Sequence, residues 1–294
     1  MATAALTMVF DDPDLLEIWV RYYSRFLDRK NLFVVTHGQQ DYANDIAEGC
    51  TIIPVHRRDP YPRMDADRWF FLSDISSALT WMYDTVICND VDELLVVDPE
   101  VSDDPIEYID TVSAADVITP FAVEIMHRWT EEHDLDLKKP ILNQRKYVRS
   151  NNWYCKPCVI RKRVQWVPDG HGIMNQPKLH LDPHLYLFHL KWMDRQFHID
   201  RFERRFKMRY DHSDEDAVLF GGSTWNKSRA TYMILSDKIE EIRIEAFGEE
   251  GFNFEKARRS YIDNYKGGEN GGWKSTLTVG GDLRVIPERF VGIF

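Results

Sequence analysis

Short apolar runs alternate with stretches of helical period through the first hundred residues. Residues 5–10 form an apolar run too short for a helix, ending at Asp11-Asp12-Pro13, and read as a strand. Pro13 then opens a helix over about 14–27, with Leu15, Leu16, Trp19, Tyr22, Tyr23 and Phe26 at helical spacing. A second strand at 31–36 leads into the loop His37-Gly38-Gln39-Gln40-Asp41. A short helix at 42–48, a third strand at 51–55, a long helix at about 65–83 and a fourth strand, Val86-Ile87-Cys88, follow. Strand and helix in regular alternation predict parallel βαβ units with helices on both faces of the sheet. Ligands of such sheets bind at the carboxyl ends of the strands. The loops Phe10-Asp11-Asp12, Thr36-His37-Gly38 and Asp90-Val91-Asp92 all fall at that edge, which predicts a nucleotide pocket there.

After Asp98 the pattern changes. A helix fits 105–113, and 116–127 is one or two strands carrying Glu124 among apolar neighbours. Several short aromatic and β-branched segments between 141 and 167 predict antiparallel strands. A strand at 185–190 precedes Asp194, which caps a helix to about 210 rich in Arg and Lys. Helices are expected near 225–247 and 252–265, a flexible loop at 267–281, and a terminal strand or strap at 283–294. The predicted fold class is a mixed α/β sheet flanked by helices, with a helical carboxyl-terminal extension. Residues 1–210 form the main domain, divided at about 100 into a nucleotide-binding half and an acceptor or metal half, and 211–294 the extension.

The acidic cluster Asp90-Val91-Asp92-Glu93 adds chemistry to this outline. A D-x-D spacing occurs five times in the chain, but only this copy has strand-like apolar runs on both sides. Clustered carboxylates at a sheet edge are costly unless a positive group arrives. A divalent metal carrying a phosphate-bearing substrate meets that need; the plainer reading is a set of loop carboxylates capping the next segment. The formal net charge of −11 argues against a nucleic-acid binder, which needs a basic face. No apolar stretch approaches the ~20 residues that span a bilayer, and the first apolar run lacks a basic region before it. A cytoplasmic protein is expected, with peripheral membrane contact through the basic helix 195–209 as one use of its charge and a solvated face as the other. Cys155-Lys156-Pro157-Cys158 has no second pair, which disfavours a zinc ribbon and leaves redox chemistry as a minor reading.

At Asp90-Val91-Asp92-Glu93 the chain resembles the family 2 type glycosyltransferases of the GT-A fold, in particular the subgroup whose motif reads Asp-Val-Asp-Glu before an apolar run. The likeness extends to Thr119-Pro120-Phe121-Ala122-Val123-Glu124, Lys156-Pro157-Cys158, Gly170-His171-Gly172 and His189-Leu190-Lys191, across residues 5–210. The resemblance implies a nucleotide-sugar site at the carboxyl edge of the first half, formed by Phe10, Asp11, Asp12, His37, Asp90, Lys156 and His171. It implies Mn²⁺ or Mg²⁺ held by Asp90, Asp92 and His189, and imidazole beside two carboxylates suits Mn²⁺ better than Ca²⁺. It departs from the family in carrying Asp11-Asp12 where Asn-Glu is usual, Thr36 where an Asp is usual, and no Ser-x-Asp-Gly after it.

The expected activity is therefore metal-dependent transfer of a sugar from a nucleotide donor, a UDP-sugar foremost, to a glycan or lipid-linked acceptor; inversion comes from the family alone. Such transfer needs the leaving diphosphate neutralised and the acceptor hydroxyl deprotonated. Glu124 is the candidate base, because a carboxylate among apolar neighbours has a raised pKa; the alternative is a Glu on the solvent side of an alternating strand. Asp169 is the second candidate base. Lys156 and Arg145 are candidates to pair with the diphosphate, and Glu93 is expected to support or cap the motif. Other readings are a degenerate glycan-binding module, a sugar-nucleotide pyrophosphorylase, which needs a Gly-rich basic loop after the first strand, and a phosphatase, whose Asp-x-Asp normally ends the first strand.

Overall fold

The computed structural model describes residues 1–111, 115–174, 179–211, 229–246, 252, 254–265 and 281–294. Strand β1 (Thr3–Val9) is buried at every position. Helix α1 (Pro13–Tyr23) packs on one of its faces and α3 (Met64–Leu79) on the other, so both faces are buried and its side chains, the two threonines apart, are apolar without polar alternation. It lies between β2 (Leu32–His37) and, on its other side, β4 (Thr85–Cys88), parallel to both; β3 (Thr51–Val55) adds in parallel outside β2. The crossovers are α1 (Pro13–Tyr23), α2 (Tyr42–Ile46) and α3 (Met64–Leu79). Pro13 opens α1 at a position where its missing N–H costs nothing. Leu15, Leu16, Trp19, Tyr22 and Tyr23 pack into the main core, while Trp69 and Leu72 of α3 build a second core on the opposite face with Trp166. Helices on both faces are what the alternating pattern predicted.

The second half turns the sheet mixed. After the acidic turn come β5 (Glu93–Val97) and α4 (Pro105–Thr111). Strand β6 (Val117–Met126) is a single ten-residue strand, buried throughout. It pairs antiparallel with β7 (Tyr147–Ser150) and β8 (Val159–Ile160), and in parallel with β9 (Leu181–Trp192). β8 returns antiparallel to β4, and β9 takes β5 antiparallel on its other edge. Helix α5 (Arg195–Asp211) follows β9; then come α6 (Arg229–Glu240), α7 (Glu255–Asp263) and β10 (Arg284–Val285), which closes antiparallel on β7.

The class is thus a ten-stranded mixed α/β sheet flanked by helices, as expected. Both late helices are shorter than their apolar patterns suggested. The expected starts and ends at 225–228 and 247, and the loop 267–280, lie outside the described residues. Phe252, Phe254, Tyr261, Ile286, Phe290 and Phe294 belong to the same core as β1 and β9, so the carboxyl-terminal segments pack into the main domain. No helix among the described residues is long and apolar enough to cross a membrane.

Register brings charged residues into line. Glu93 on β5 and Glu124 on β6 both stand opposite His189 on β9, and Glu124 stands opposite Arg149 on β7. Four ionisable residues therefore form one row across four neighbouring strands.

Candidate functional site

The carboxyl ends of β1, β2 and β4 open onto a cleft of about 210 Å³. Phe10, Asp12, His37, Asp90, Asp92, Lys156, Asp169, His171 and His189 all line it, although they lie up to 179 residues apart in sequence. Asp11 does not. Its backbone is left-handed (φ 52°), its N–H donates to Gln40 Oε1 at 2.9 Å, and its carboxylate pairs with Arg204 at 3.2 Å on the outer side of α5.

The acidic turn is fixed from beneath. Asn89 is buried; its side chain accepts from Trp19 Nε1 at 3.2 Å and donates to Tyr23 Oη and the Glu93 carbonyl, both at 2.9 Å. Glu93 accepts from the Asp90 N–H at 3.1 Å, so it caps the turn as expected. Asp90 meets Arg68 Nη1 at 2.7 Å with one oxygen and Lys156 Nζ at 2.6 Å with the other. Lys156 also reaches Glu93 at 2.7 Å. Burial alone would raise Asp90, but Lys156 and Arg68 hold its carboxyl well below the usual range. Burial would likewise lower Lys156, and Asp90 and Glu93 instead lift it. Unpaired, each of these buried charges would cost several kcal/mol.

Asp92 is held differently. Arg201 of α5 reaches it at 2.5 Å while gripping Asp12 with two nitrogens at 2.8 Å each. Against the effect of burial, Arg201 and then His189 bring the Asp92 carboxyl well down. His189 Nε2 lies 3.7 Å from Asp92 and its Nδ1 lies 3.5 Å from Glu124. Burial would lower His189, yet the two carboxylates raise it. Its ring lies over Tyr154, with centroids 3.9 Å apart.

Glu124 sits behind His189, 1% exposed, and pairs with Arg149 at 3.0 Å. The raised pKa expected of it is not found. Burial does push upward, but His189 and Arg149 outweigh it and hold Glu124 low. It does not line the cleft, whereas the exposed Asp169 does. Arg145 is remote: it is buried, pairs with Asp194 at 3.0 Å and donates to the Met193 and His133 carbonyls. The basic face of α5 is directed at the chain's own acids: Arg195 at Asp237, Arg201 and Arg205 at Asp12, Arg204 at Asp11 and Lys207 at Glu203.

Sequence reasoning missed Arg57, Arg68, Tyr154, Lys191, Arg201 and Arg205 as lining residues. For Arg201 and Arg205 the signal existed, as two arginines at i and i+4 on one helix face. For Arg57 and Arg68 nothing in the sequence marked them. Gly170 has a clear structural reason. It adopts φ +71°, and a Cβ there would stand 2.0 Å from the Trp69 ring.

No family model matches the chain, and no curated protein matches it. Among solved structures it is similar to mannose-1-phosphate geranyltransferase from Thermus thermophilus, with 12% identity and a TM-score of 0.30 over 79% of this chain and 68% of that one. It is also similar to mouse xyloside xylosyltransferase 1 in its apo form, with 12% identity and a TM-score of 0.25 over 44% of this chain and 53% of that one. Superpositions this loose assign no activity, so the chemistry rests on the groups in the cleft.

Mn²⁺ or Mg²⁺ at Asp90, Asp92 and His189 is the arrangement the resemblance implies. The donors as folded do not fit it. Both Asp90 oxygens already face protein cations, and the Arg201 guanidinium takes Oδ2 of Asp92, the oxygen nearest His189. Among the described residues no three His, Cys, Asp or Glu side chains converge on a point a metal could occupy.

Proposed function

We propose that this cleft binds a nucleotide sugar and that the chain transfers the sugar to a glycan or lipid-linked acceptor. One observation carries the reading. At the carboxyl edge of the parallel strands, the two motif carboxylates stand among Arg57, Arg68, Lys156, Lys191, Arg201 and Arg205 in a single cleft. That many cations in one cleft of an acidic protein suit an anionic group such as a diphosphate.

In the proposed reaction an acceptor oxygen attacks the anomeric carbon. The bond from that carbon to the diphosphate oxygen breaks, and its electron pair leaves with the diphosphate, whose growing charge the surrounding cations meet. The acceptor proton passes to a carboxylate. Asp169 takes this role better than Glu124, because it lines the cleft and is exposed. Glu124 then orients His189 from behind. The pyrophosphorylase alternative lacks its Gly-rich loop: β1 runs directly into Asp11-Asp12-Pro13 and α1.

Thermal shift with UDP, GDP and CDP, followed by assay of UDP release from UDP-sugars with glycan acceptors, tests the proposal. One nucleotide should stabilise the chain. Asp169→Asn should keep that stabilisation and lose transfer by about 10²-fold or more. Silence toward all three nucleotides would sink the transferase in favour of a glycan-binding module.

A further inference from the structure

The misfit of a metal points to a different way of handling the diphosphate. This inference rests on the nucleotide-sugar reading above. Carboxylates repel a phosphate unless positive charge stands between them. In this cleft the intervening charge belongs to the chain.

Arg201 is the centre of the arrangement. It is 4% exposed, and it bridges Asp12, at the end of β1, to Asp92, after β4. The pair with Asp12 is bidentate, so the guanidinium plane is fixed before any ligand arrives. A divalent ion seated on Asp92 would have to repel Arg201. That would leave the buried Asp12 with Arg205, at 3.2 Å, as its nearest described cation. At the end of β1, Asp12 supplies Arg201's second partner.

The same cations keep donors in reserve. A guanidinium carries five N–H groups. Arg201 uses three on Asp12 and Asp92, and Arg68 uses two on Asp65 and Asp90. Lys156 has three N–H groups, and Asp90 and Glu93 take two of them. All three side chains line the cleft. Donors fixed by neighbouring carboxylates, with others left over, suit the non-bridging oxygens of a diphosphate.

We propose that the cleft binds the diphosphate of its nucleotide substrate without a divalent ion. Arg201 stands where the resemblance puts the metal, with Lys156 and Arg68 beside it. Isothermal titration of UDP into the full chain, once in excess EDTA and once in Mn²⁺, tests this. The dissociation constants should agree within about threefold, a difference small against the tenfold that marks a lost interaction. Mn²⁺ alone should leave the melting temperature unchanged in wild type and in Asp92→Asn. Arg201→Met should weaken UDP binding in EDTA about tenfold or more, with Arg201→Lys in between, because the charge stays and the fork is lost. Should Arg201→Met fail to fold, Arg201→Met with Asp12→Asn and Asp92→Asn removes both stranded acids, and the two wild-type titrations do not depend on any variant. Binding seen only with Mn²⁺ overturns the inference and leaves the transferase reading standing. Binding of UDP in neither condition sends the same two titrations to GDP and CDP, and failure of all three overturns both.

Discussion

Lys156 illustrates how much rests on single side chains. It is 2% exposed and its ammonium is shared by Asp90 and Glu93, the latter fully buried. Lys156→Met removes the cation and leaves two carboxylates facing each other, so we expect a loss of about 3–5 kcal/mol in urea unfolding. Adding Glu93→Gln should restore part of it. Gly170 is the second such position. Gly170→Ala combines an unfavourable left-handed backbone with a collision against Trp69, and should lower stability by about 2 kcal/mol in the same measurement. An unchanged denaturation midpoint would contradict the contact. At this scale the apolar flanks marked the one D-x-D copy whose two acids both line the cleft, Asp90 and Asp92, but not Asp12 and Asp65, which come from two other copies and line it as well. The sequence was a poor guide to their partners. Arg201 lies 189 and 109 residues from the acids it joins, and no local period encodes such a pairing.

Among the elements, β9 decides the second half. It enters between β5 and β6, antiparallel to one and parallel to the other, and thereby sets His189 opposite both Glu93 and Glu124. With Arg149 on β7 the row alternates in sign, the pattern that favours cross-strand neighbours. Arg149→Met should cost about 3 kcal/mol by stranding Glu124, and joining it to Glu124→Gln should recover much of that cost. Strictly additive losses in the double-mutant cycle would show that the pair does not interact. The row also explains where reading by pattern failed. Glu124 sits in an apolar strand whether it is a raised-pKa base or a paired structural acid; the deciding groups, His189 and Arg149, come from two other strands. The existence of β1 to β4 and their crossovers was legible because each short apolar run is bounded by its own turn residues. The insertion of β9 was not, because a buried strand carries no mark of its neighbours.

Across the whole molecule, the titrating histidines set the response to acid. Burial pushes His37 and His171 down to about 4 and also lowers His127 and His198, while His189 is raised. Unfolded histidine takes its proton near pH 6.5. As pH falls below that value the unfolded chain gains protons that the native His37 and His171 do not accept until about pH 4. Their contribution is therefore complete above about pH 6.5 and is lost as pH falls through that interval. His189 contributes with the opposite sign and is outnumbered. Urea midpoints should drop between pH 7 and pH 5, and His37→Gln with His171→Gln should flatten the slope. The fold class was legible at this scale from alternation alone. The packing of Phe290 and Phe294 against Phe188 was not, since a short carboxyl-terminal segment carries too little periodicity to reveal its docking site.

The Trp69 indole has one more consequence. Besides bracing Gly170, it has the Arg68 guanidinium 4.8 Å and the Lys156 ammonium 5.4 Å from its ring centroid. Indole emission responds to the local field, and both charges belong to residues expected to engage a diphosphate. Any ligand that draws Lys156 or Arg68 toward itself alters the field on that one ring. The protein thus carries its own optical probe of cleft occupancy, and the difference in emission between wild type and Trp69→Phe during titration would read it without a label.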